Sequence, residues 1–312
     1  MTLDQLRIFL AVAERQHVTL AAAALNLTQS TVSAAIKALE TRYDTHLFNR
    51  IGRRIELTEA GRAFVPEAAA VLARAEAARC LLQDFALTEG GTLRVAASQT
   101  IASYWLPARL ATFRARHPGV GLEVAIGNTA KVASAVLEGT AEIGLVEGGV
   151  DETALQAEPV GADRLVVVLG RDGLPGGQRI DTRQRLLELP WVSRERGSGT
   201  RTEFELAIAM AGLDPQALRI VLEMPSNEGV LGAVEAGLGA AAISELAAAG
   251  GIAAGRLQRL PFPLPRRRFD CLWHKERYRS RAGENFLAIL RMGADGISGK
   301  AERGDEPEAD RA

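Results

Sequence analysis

The sequence is short of cysteine, of long apolar runs and of net charge, and each shortage removes a class of protein. Only Cys80 and Cys271 occur in 312 residues. They are too few and too far apart for a disulfide framework or a zinc spacing, and a buried thiol ordinarily packs as a small apolar side chain. No apolar stretch approaches the roughly 20 residues that cross a bilayer. The first residues place Asp4, Arg7 and Glu14 where an export signal needs an unbroken apolar core. A cytoplasmic chain with no membrane partner is expected. The four histidines, His17, His46, His117 and His274, are scattered, and none sits beside a candidate nucleophile. A Walker A loop, a G-x-S-x-G elbow and an H-E-x-x-H pair are all missing. Gly237 to Ala242 fits G-x-G-x-x-A but precedes its strand, the wrong order for holding a pyrophosphate. Catalytic residues, metal ligands and cofactors are therefore not expected. The net charge of −1 excludes a surface coated with cations for nucleic acid.

What is present is a chain about twice the usual length of one domain, with 47% hydrophobic and 24% charged residues, enough for more than one core. Charge is also unevenly spread. Residues 1–63 carry eight Lys or Arg against six Asp or Glu, with Arg50, Arg53 and Arg54 close together. Leu3, Leu6, Leu10 and Ala13 recur at helical spacing with Asp4 in the first turn, where the helix dipole favours an anion. Thr19 is positioned to cap a short helix over Leu20 to Leu25. After the turn Asn26-Leu27-Thr28, a helix is expected from Gln29 to Thr41. Its faces separate: Val32, Ala35, Ile36 and Leu39 on one side, Ser30, Ser33, Ala34 and Lys37 on the other. The second strip has what a groove reader needs, short side chains for close approach, hydroxyls and one cation. Two helices joined by so short a turn make a helix-turn-helix, although helical hairpins capping a larger fold share the spacing. Residues 47–57 then read as two short strands around Gly52, a wing with arginines at its tip that can reach phosphates or a narrow minor groove.

Thr58 opens a helix that runs to about Thr88. Phe64, Ala68, Val71, Ala75, Ala78, Leu82 and Phe85 follow steps of four and three, the seam of a helix that packs along another helix. That partner is either a second copy of the chain or the helix's own domain. With no long helix nearby in sequence, self-association is the expectation, and a dimer also suits a palindromic site. Thr88 to Thr92 reads as a hinge. Beyond it strands and helices alternate, at Leu93–Ala97, Gly121–Ile126, Ile143–Val146, Leu165–Leu169, Trp191–Ser193, Ile220–Met224 and Gly239–Ile243 for the strands. This predicts a parallel or mostly parallel sheet in two α/β lobes. Residues from Asp295 onward have the composition of a disordered tail.

Ligands of such lobes sit outside the carboxyl ends of strands, near helix N-termini. Ser98-Gln99-Thr100 and Asn128-Thr129 follow strands and open helices, and Ser198-Gly199-Thr200-Arg201 repeats the arrangement in the second lobe. Each hydroxyl can be a helix cap and nothing more. Together, with Arg194 or Arg201 for charge, they suit a small anion.

At this point the chain resembles a known family, the LysR-type transcriptional regulators. The resemblance rests on Leu3-Asp4-Gln5-Leu6-Arg7-Ile8-Phe9, Ala21 to Leu25, Gln29-Ser30-Thr31-Val32-Ser33, Leu39-Glu40, Leu47-Phe48 and Arg54 to Gly61. Members often carry proline at the position of Thr31 and arginine or a similar residue at those of Leu20 and Ala34, so the operator cannot be carried over. The C-terminal part resembles a branch that includes regulators of sulfur assimilation and carbon dioxide fixation, through Gly127-Asn128-Thr129, Gly144 to Gly148, Arg194 to Arg201, Ser226-Asn227-Glu228 and Ala236 to Gly239. The implied fold is α/β overall: an all-α winged helix-turn-helix over 1–58, a linker helix and hinge over 59–91, and an effector-binding domain over 92–294 that resembles periplasmic binding proteins. Its first lobe takes 92–162 and 268–294, its second 163–267, and 295–312 is the tail.

The resemblance implies DNA contacts by Thr28, Gln29, Ser30, Thr31, Ser33, Ala34, Lys37, Arg50, Arg53 and Arg54. It adds Glu147, Glu195 and Asn227 to the effector residues. The implied partners are double-stranded promoter DNA, a sulfur oxyanion or a phosphorylated or carboxylated metabolite, further copies in a dimer of dimers, and RNA polymerase. Effector binding would relax a bend in the DNA. The rival readings are a catalytic or solute-binding two-lobed protein carrying an accessory helical domain.

Overall fold

A computed structural model describes residues 1–51, 54–85, 91–173 and 185–292. Residues 88–90 of the expected hinge, the wing tip at Gly52-Arg53 and the tail lie outside these residues, as do the side chains of Arg50, Arg54, Cys80 and Phe85; Thr92, the last hinge residue, already opens a strand. The chain divides into two compact units, one built mainly on Met1–Thr88 and one on the residues that follow.

In the first unit, α1 (Leu3–Arg15) opens with a capping box between Thr2 and Gln5 and buries Leu6, Ile8, Phe9 and Val12. The helix stops at Gln16, which takes a left-handed φ of 48°. In α2 (Val18–Ala24) the cap is His17, not Thr19. The extended backbone at His17 starts the helix two residues before the expected point and leaves Thr19 exposed inside it. Asn26 supplies the left-handed turn, φ 54°, that only a few non-glycine residues accept readily. Then α3 (Gln29–Tyr43) begins at Thr28, whose Oγ1 accepts from the Thr31 amide at 3.2 Å. Strands β1 (Phe48–Ile51) and β2 (Arg54–Leu57) pair antiparallel as the wing. Thr58 turns the chain into α4 (Glu59–Phe85), its hydroxyl accepting from the Gly61 amide and donating to the His46 carbonyl.

The start of α4 is not free for a second copy. Phe64 and Ala68 pack into the core formed by Leu6, Phe9, Leu39 and Leu47, and the Phe9 ring lies between Phe48 and Phe64 at centroid distances of 5.4 and 4.9 Å. α1, distant in sequence, supplies the partner helix. The remaining seam positions differ: Val71, Ala78 and Leu82 are exposed, Leu82 at 71%, and Ala75 is half-buried.

The second unit contains β3 (Thr92–Ser98), a π-helical turn (Ile101–Trp105) continuing into α5 (Leu106–Arg116), β4 (Gly121–Gly127), α6 (Thr129–Glu138) and β5 (Ile143–Glu147). The long β6 (Leu155–Gly170) leads onward to α7 (Arg185–Glu188), β7 (Pro190–Arg194), α8 (Gly199–Met210), β8 (Arg219–Met224), α9 (Asn227–Glu235), β9 (Ala241–Ser244), α10 (Glu245–Ala253) and β10 (Leu257–Arg259). The chain returns through β11 (Arg266–His274) to α11 (Arg281–Met292). The order β10-β6-β11-β5-β3-β4 forms one sheet, with β9 also on β6. β7 and β8 pair with each other, and Trp191 bridges to Ala240.

Two cores flank this sheet. Leu93, Val95, Phe113, Ile143, Leu145, Phe269 and Phe286 fill the first lobe. In the second, alternate residues of β6 serve opposite faces: Leu165, Val167 and Leu169 meet Trp191 and Phe204, while Val166 and Val168 meet Val230 and Ile243. The parallel pairs are β3 with β4, β3 with β5, and β7 with β8. The sheet is nevertheless mixed, because β6 leaves the first lobe and β11 re-enters it antiparallel to their neighbours. Sequence patterning recovers only the apolar end of β6 and neither β10 nor β11. The first half of β6 exposes Gln156, Ala157 and Pro159 and so breaks the apolar alternation, and β11 begins with three arginines.

Candidate functional site

Two groups of residues carry chemistry, one in each unit. In the first, Thr28, Gln29, Ser30, Thr31, Ala34 and Lys37 are exposed on one side of α3, with Ser33 half-buried beneath them. Val32 and Leu39 anchor the opposite side. The three hydroxyls at the N-terminus share hydrogen bonds, Thr28 Oγ1 lying 2.8 Å from both Ser30 Oγ and Thr31 Oγ1. Glu40 accepts from the amides of Leu47 and Phe48 at 2.7 and 3.2 Å, which ties α3 to the first wing strand. Between them lies a groove of about 650 Å³ whose lining includes Ser33, Ala34, Lys37, His46 and Asn49. His46 and Asn49 carry no sequence signal of their own, since only the fold brings the wing beside α3.

In the second unit the lobes meet through side chains. Asn227, at the start of α9, donates through Nδ2 to Thr100 Oγ1 at 3.1 Å, and its backbone amide donates to Gln99 Oε1 at 2.7 Å. Its Oδ1 accepts from Arg194 at 2.6 Å. The Arg194 guanidinium also donates to both Glu195 oxygens at 2.8 and 3.1 Å, and Glu195 Oε1 accepts from Asn128 Nδ2 at 3.1 Å. One network therefore joins Gln99, Thr100 and Asn128 of the first lobe to Arg194, Glu195 and Asn227 of the second. Burial alone would raise the Glu195 carboxyl; the hydrogen bonds and charge of Arg194, with the Asn128 amide, outweigh it and hold Glu195 below the usual carboxylate range. Glu228 adds a further link, accepting from Gln99 and Tyr104 at 3.1 Å. Burial and this carboxylate push the Tyr104 hydroxyl up to about 12.

The hydroxyls are not spent as helix caps. Ser198 is the N-cap of α8 and Thr100 precedes the π turn, yet neither side chain makes a capping hydrogen bond. Ser98 is 2% exposed and its hydroxyl has no hydrogen-bond partner among the described residues. Thr129 donates to the Glu147 carbonyl at 3.1 Å. Asn128 does both jobs, its Oδ1 capping α6 at the Lys131 amide while its amide group crosses to the other lobe. Gly199 lets the lobes approach here: a Cβ on it would lie 2.1 Å from the Glu147 carbonyl oxygen and 2.7 Å from Thr129 Oγ1.

Three expected residues belong elsewhere. Arg201 does not offer its charge to the cleft; its guanidinium is held by Glu205 and Glu223 and donates to the Arg194 carbonyl. Thr200 and Glu147 turn to a second buried network around Arg267, which donates to Thr200 Oγ1 at 2.9 Å and to Asp163 at 3.0 Å, with Glu147 at 3.8 Å. Arg267 and Asp163 were missed because Arg266-Arg267-Arg268 looks like a solvated charge run. Only the alternation of β11 turns the middle arginine inward, where it is 3% exposed. No cluster of three metal-ligating side chains occurs among the described residues, and none of their helices is long and apolar enough to cross a membrane.

The models of two families match, the bacterial regulatory helix-turn-helix of lysR type over residues 3–62 and the LysR substrate binding domain over 87–295. The chain belongs to the LysR family of bacterial transcriptional regulators. An uncharacterized HTH-type regulator of Escherichia coli K12, YeiE, is 34% identical over 290 residues, covering 92% of this chain and 96% of that one. A probable RuBisCO transcriptional regulator of Nostoc is 31% identical over 292 residues, with 91% and 86% covered. Among solved structures, the regulatory domain of Synechocystis CcmR in complex with 2-PG matches at a TM-score of 0.58 and 24% identity, covering 66% of this chain and 99% of that domain. This LysR-type regulator thus joins a DNA-binding helix-turn-helix to an effector-binding α/β domain.

Proposed function

We propose that this regulator's hold on promoter DNA is set by a small anion or acidic metabolite bound between its two lobes, with no catalytic step of its own. The observation that carries this reading is the buried inter-lobe network. A guanidinium, two amides and a hydroxyl meet where strands end, and close by in sequence Ser98 contributes a second hydroxyl that has no partner among the described residues. An acid group there would be met by charge-assisted hydrogen bonds from both lobes. The 2-PG bound by the Synechocystis domain supports a small-molecule ligand in a domain of this fold.

At the other end of the chain, Thr28, Gln29, Ser30, Thr31, Ser33, Ala34 and Lys37 enter the major groove, and Arg50, Arg53 and Arg54 hold phosphates beside it. Residues 1–58 act as the reader, 59–91 as the linker and 92–294 as the sensor. The seam of exposed Val71, Ala78 and Leu82, with half-buried Ala75, pairs two copies, and two pairs make a tetramer. Ligand closing the lobes alters how copies pack and so the spacing of paired readers. Chromosomal DNA as partner places the protein in the cytoplasm.

Calorimetric titration of the full chain with sulfite, sulfate, inorganic phosphate and 2-PG tests the reading. Saturable binding is expected, lost in Arg194→Ala and accompanied by a changed DNase footprint. Silence towards all four, with a footprint indifferent to each, would sink it.

A further inference from the structure

We propose that Glu195 is an internal occupant of the effector cleft and restricts the effector to acid groups that carry more than one negative charge. This rests on the reading that Arg194 and Asn128 line the effector site. Glu195 follows Arg194 directly, and a neighbouring pair of that kind needs no explanation beyond local neutralisation. Its third hydrogen bond does need one. Asn128 belongs to the other lobe, and its amide reaches the same carboxylate oxygen that the guanidinium holds at 3.1 Å. The Asn128 side chain cannot rotate freely to find this bond, since its Oδ1 is fixed on the Lys131 amide. One carboxylate thus collects two N–H groups from a buried arginine and one from the opposite lobe. This is the donor set that the acid group of a ligand takes when it draws two lobes together.

The consequence is competition. A tethered carboxylate acts at an effective concentration of about millimolar or above. A free monocarboxylate displacing it exchanges like for like, the same charge and the same two acceptor oxygens, and loses its translational freedom besides. Nothing is gained. A phosphate monoester, or a dianion such as inorganic phosphate or sulfite, brings a second charge and a third acceptor oxygen to the same donors. Glu195 has somewhere to go, because its side chain is 21% exposed whereas that of Arg194 is 3% exposed.

The test compares the full-length protein with its Glu195→Gln variant by calorimetric titration with inorganic phosphate, 2-PG and glycolate, after both have shown cooperative thermal unfolding. Glutamine keeps the shape and the acceptor for Asn128 but removes the charge that competes for Arg194. The wild type should favour phosphate or 2-PG over glycolate by about tenfold or more, and E195Q should bind glycolate about tenfold more tightly than the wild type does, narrowing the preference. Glu195→Asp, which keeps the charge but shortens the reach by one methylene, should fall between them and serves as the readout if the glutamine variant does not fold. An unchanged preference in the variant overturns the role of Glu195 while the Arg194 and Asn128 site stands. If neither protein binds any of the three probes, this inference falls, and the site reading falls with it when sulfite and sulfate are silent too.

Discussion

Asn227 and Thr100 are hydrogen-bonded across the two lobes, Nδ2 to Oγ1 at 3.1 Å, and both side chains are fully buried. The other end of the same amide holds the Arg194 guanidinium at 2.6 Å. One neutral residue therefore serves a hydroxyl of the first lobe and a cation of the second. Glu195 and Asn227 share the donors of this buried guanidinium between them.

Replacing Asn227 by alanine should consequently cost more than one hydrogen bond. It strands an N–H of a buried guanidinium and leaves the Thr100 hydroxyl without its donor. Losses of about 2–4 kcal/mol are typical for breaking such a set. At about 2–4 °C per kcal/mol for a domain of this size, the melting transition of the effector unit should fall by about 4–16 °C. Scanning calorimetry of the full chain measures it; a shift under a degree would mean that the network contributes nothing to the fold.

Glu203 on α8 provides a pH dependence of known sign. Burial raises its carboxyl above the ordinary glutamate value; Arg267 pulls it down, but Asp270 and Glu147 push it up, and the balance stays upward. A carboxyl raised in the folded state adds stability that is fully present below its unfolded value and is lost as pH rises through the folded one. Glu203→Gln should therefore raise the melting temperature at neutral pH, with the gain fading towards about pH 4. Melting curves from acid to neutral pH check the trend, and a gain that is constant across the range would contradict it.

The reader was legible in the sequence because its determinants are local. Thr28 as cap, the left-handed Asn26 and the apolar strip ending at Leu39 all lie within 14 residues, close enough for helical periodicity to expose them. The lobes were legible as strands and helices but not as a network. Arg267 meets Asp163 and Thr200 from 104 and 67 positions away, and nothing local distinguishes it from its two arginine neighbours. Arg201 failed for the opposite reason. Glu205 stands four residues on, an i, i+4 pair that neutralises it within its own helix, and that spacing was there to be read. Phe64 and Ala68 followed the seam's rhythm faithfully; the rhythm cannot say whether α1 or a second copy fills it.

Gly199 should be intolerant of any side chain. The Cβ of alanine would stand 2.1 Å from the Glu147 carbonyl, which is backbone and cannot swing aside, so the N-terminus of α8 must retreat from the end of β5. These belong to different lobes. Gly199→Ala is expected to leave each lobe folded and hold the pair apart, weakening effector binding by about tenfold or more, since each 1.4 kcal/mol of lost closure is a factor of ten. Small-angle scattering should show a larger radius of gyration than the wild type. Equal radii would mean that the lobes do not close on this contact.

Lys37 allows the DNA face to be tested apart from the cleft. It is exposed near the middle of α3, on the same side as Ser30, Ser33 and Ala34, and beside the groove that separates the helix from the wing. A lysine contacting a phosphate releases about one counterion, whereas one reading a base edge discriminates between sequences. Lys37→Ala should then lower the slope of log K against log salt by about one per reader and weaken operator and scrambled duplex alike. Fluorescence anisotropy over about 50–200 mM salt resolves this, because contacts of this kind dominate the salt dependence there. A loss confined to the operator would instead make Lys37 a base-reading residue, and an unchanged slope with unchanged affinity would remove it from the interface.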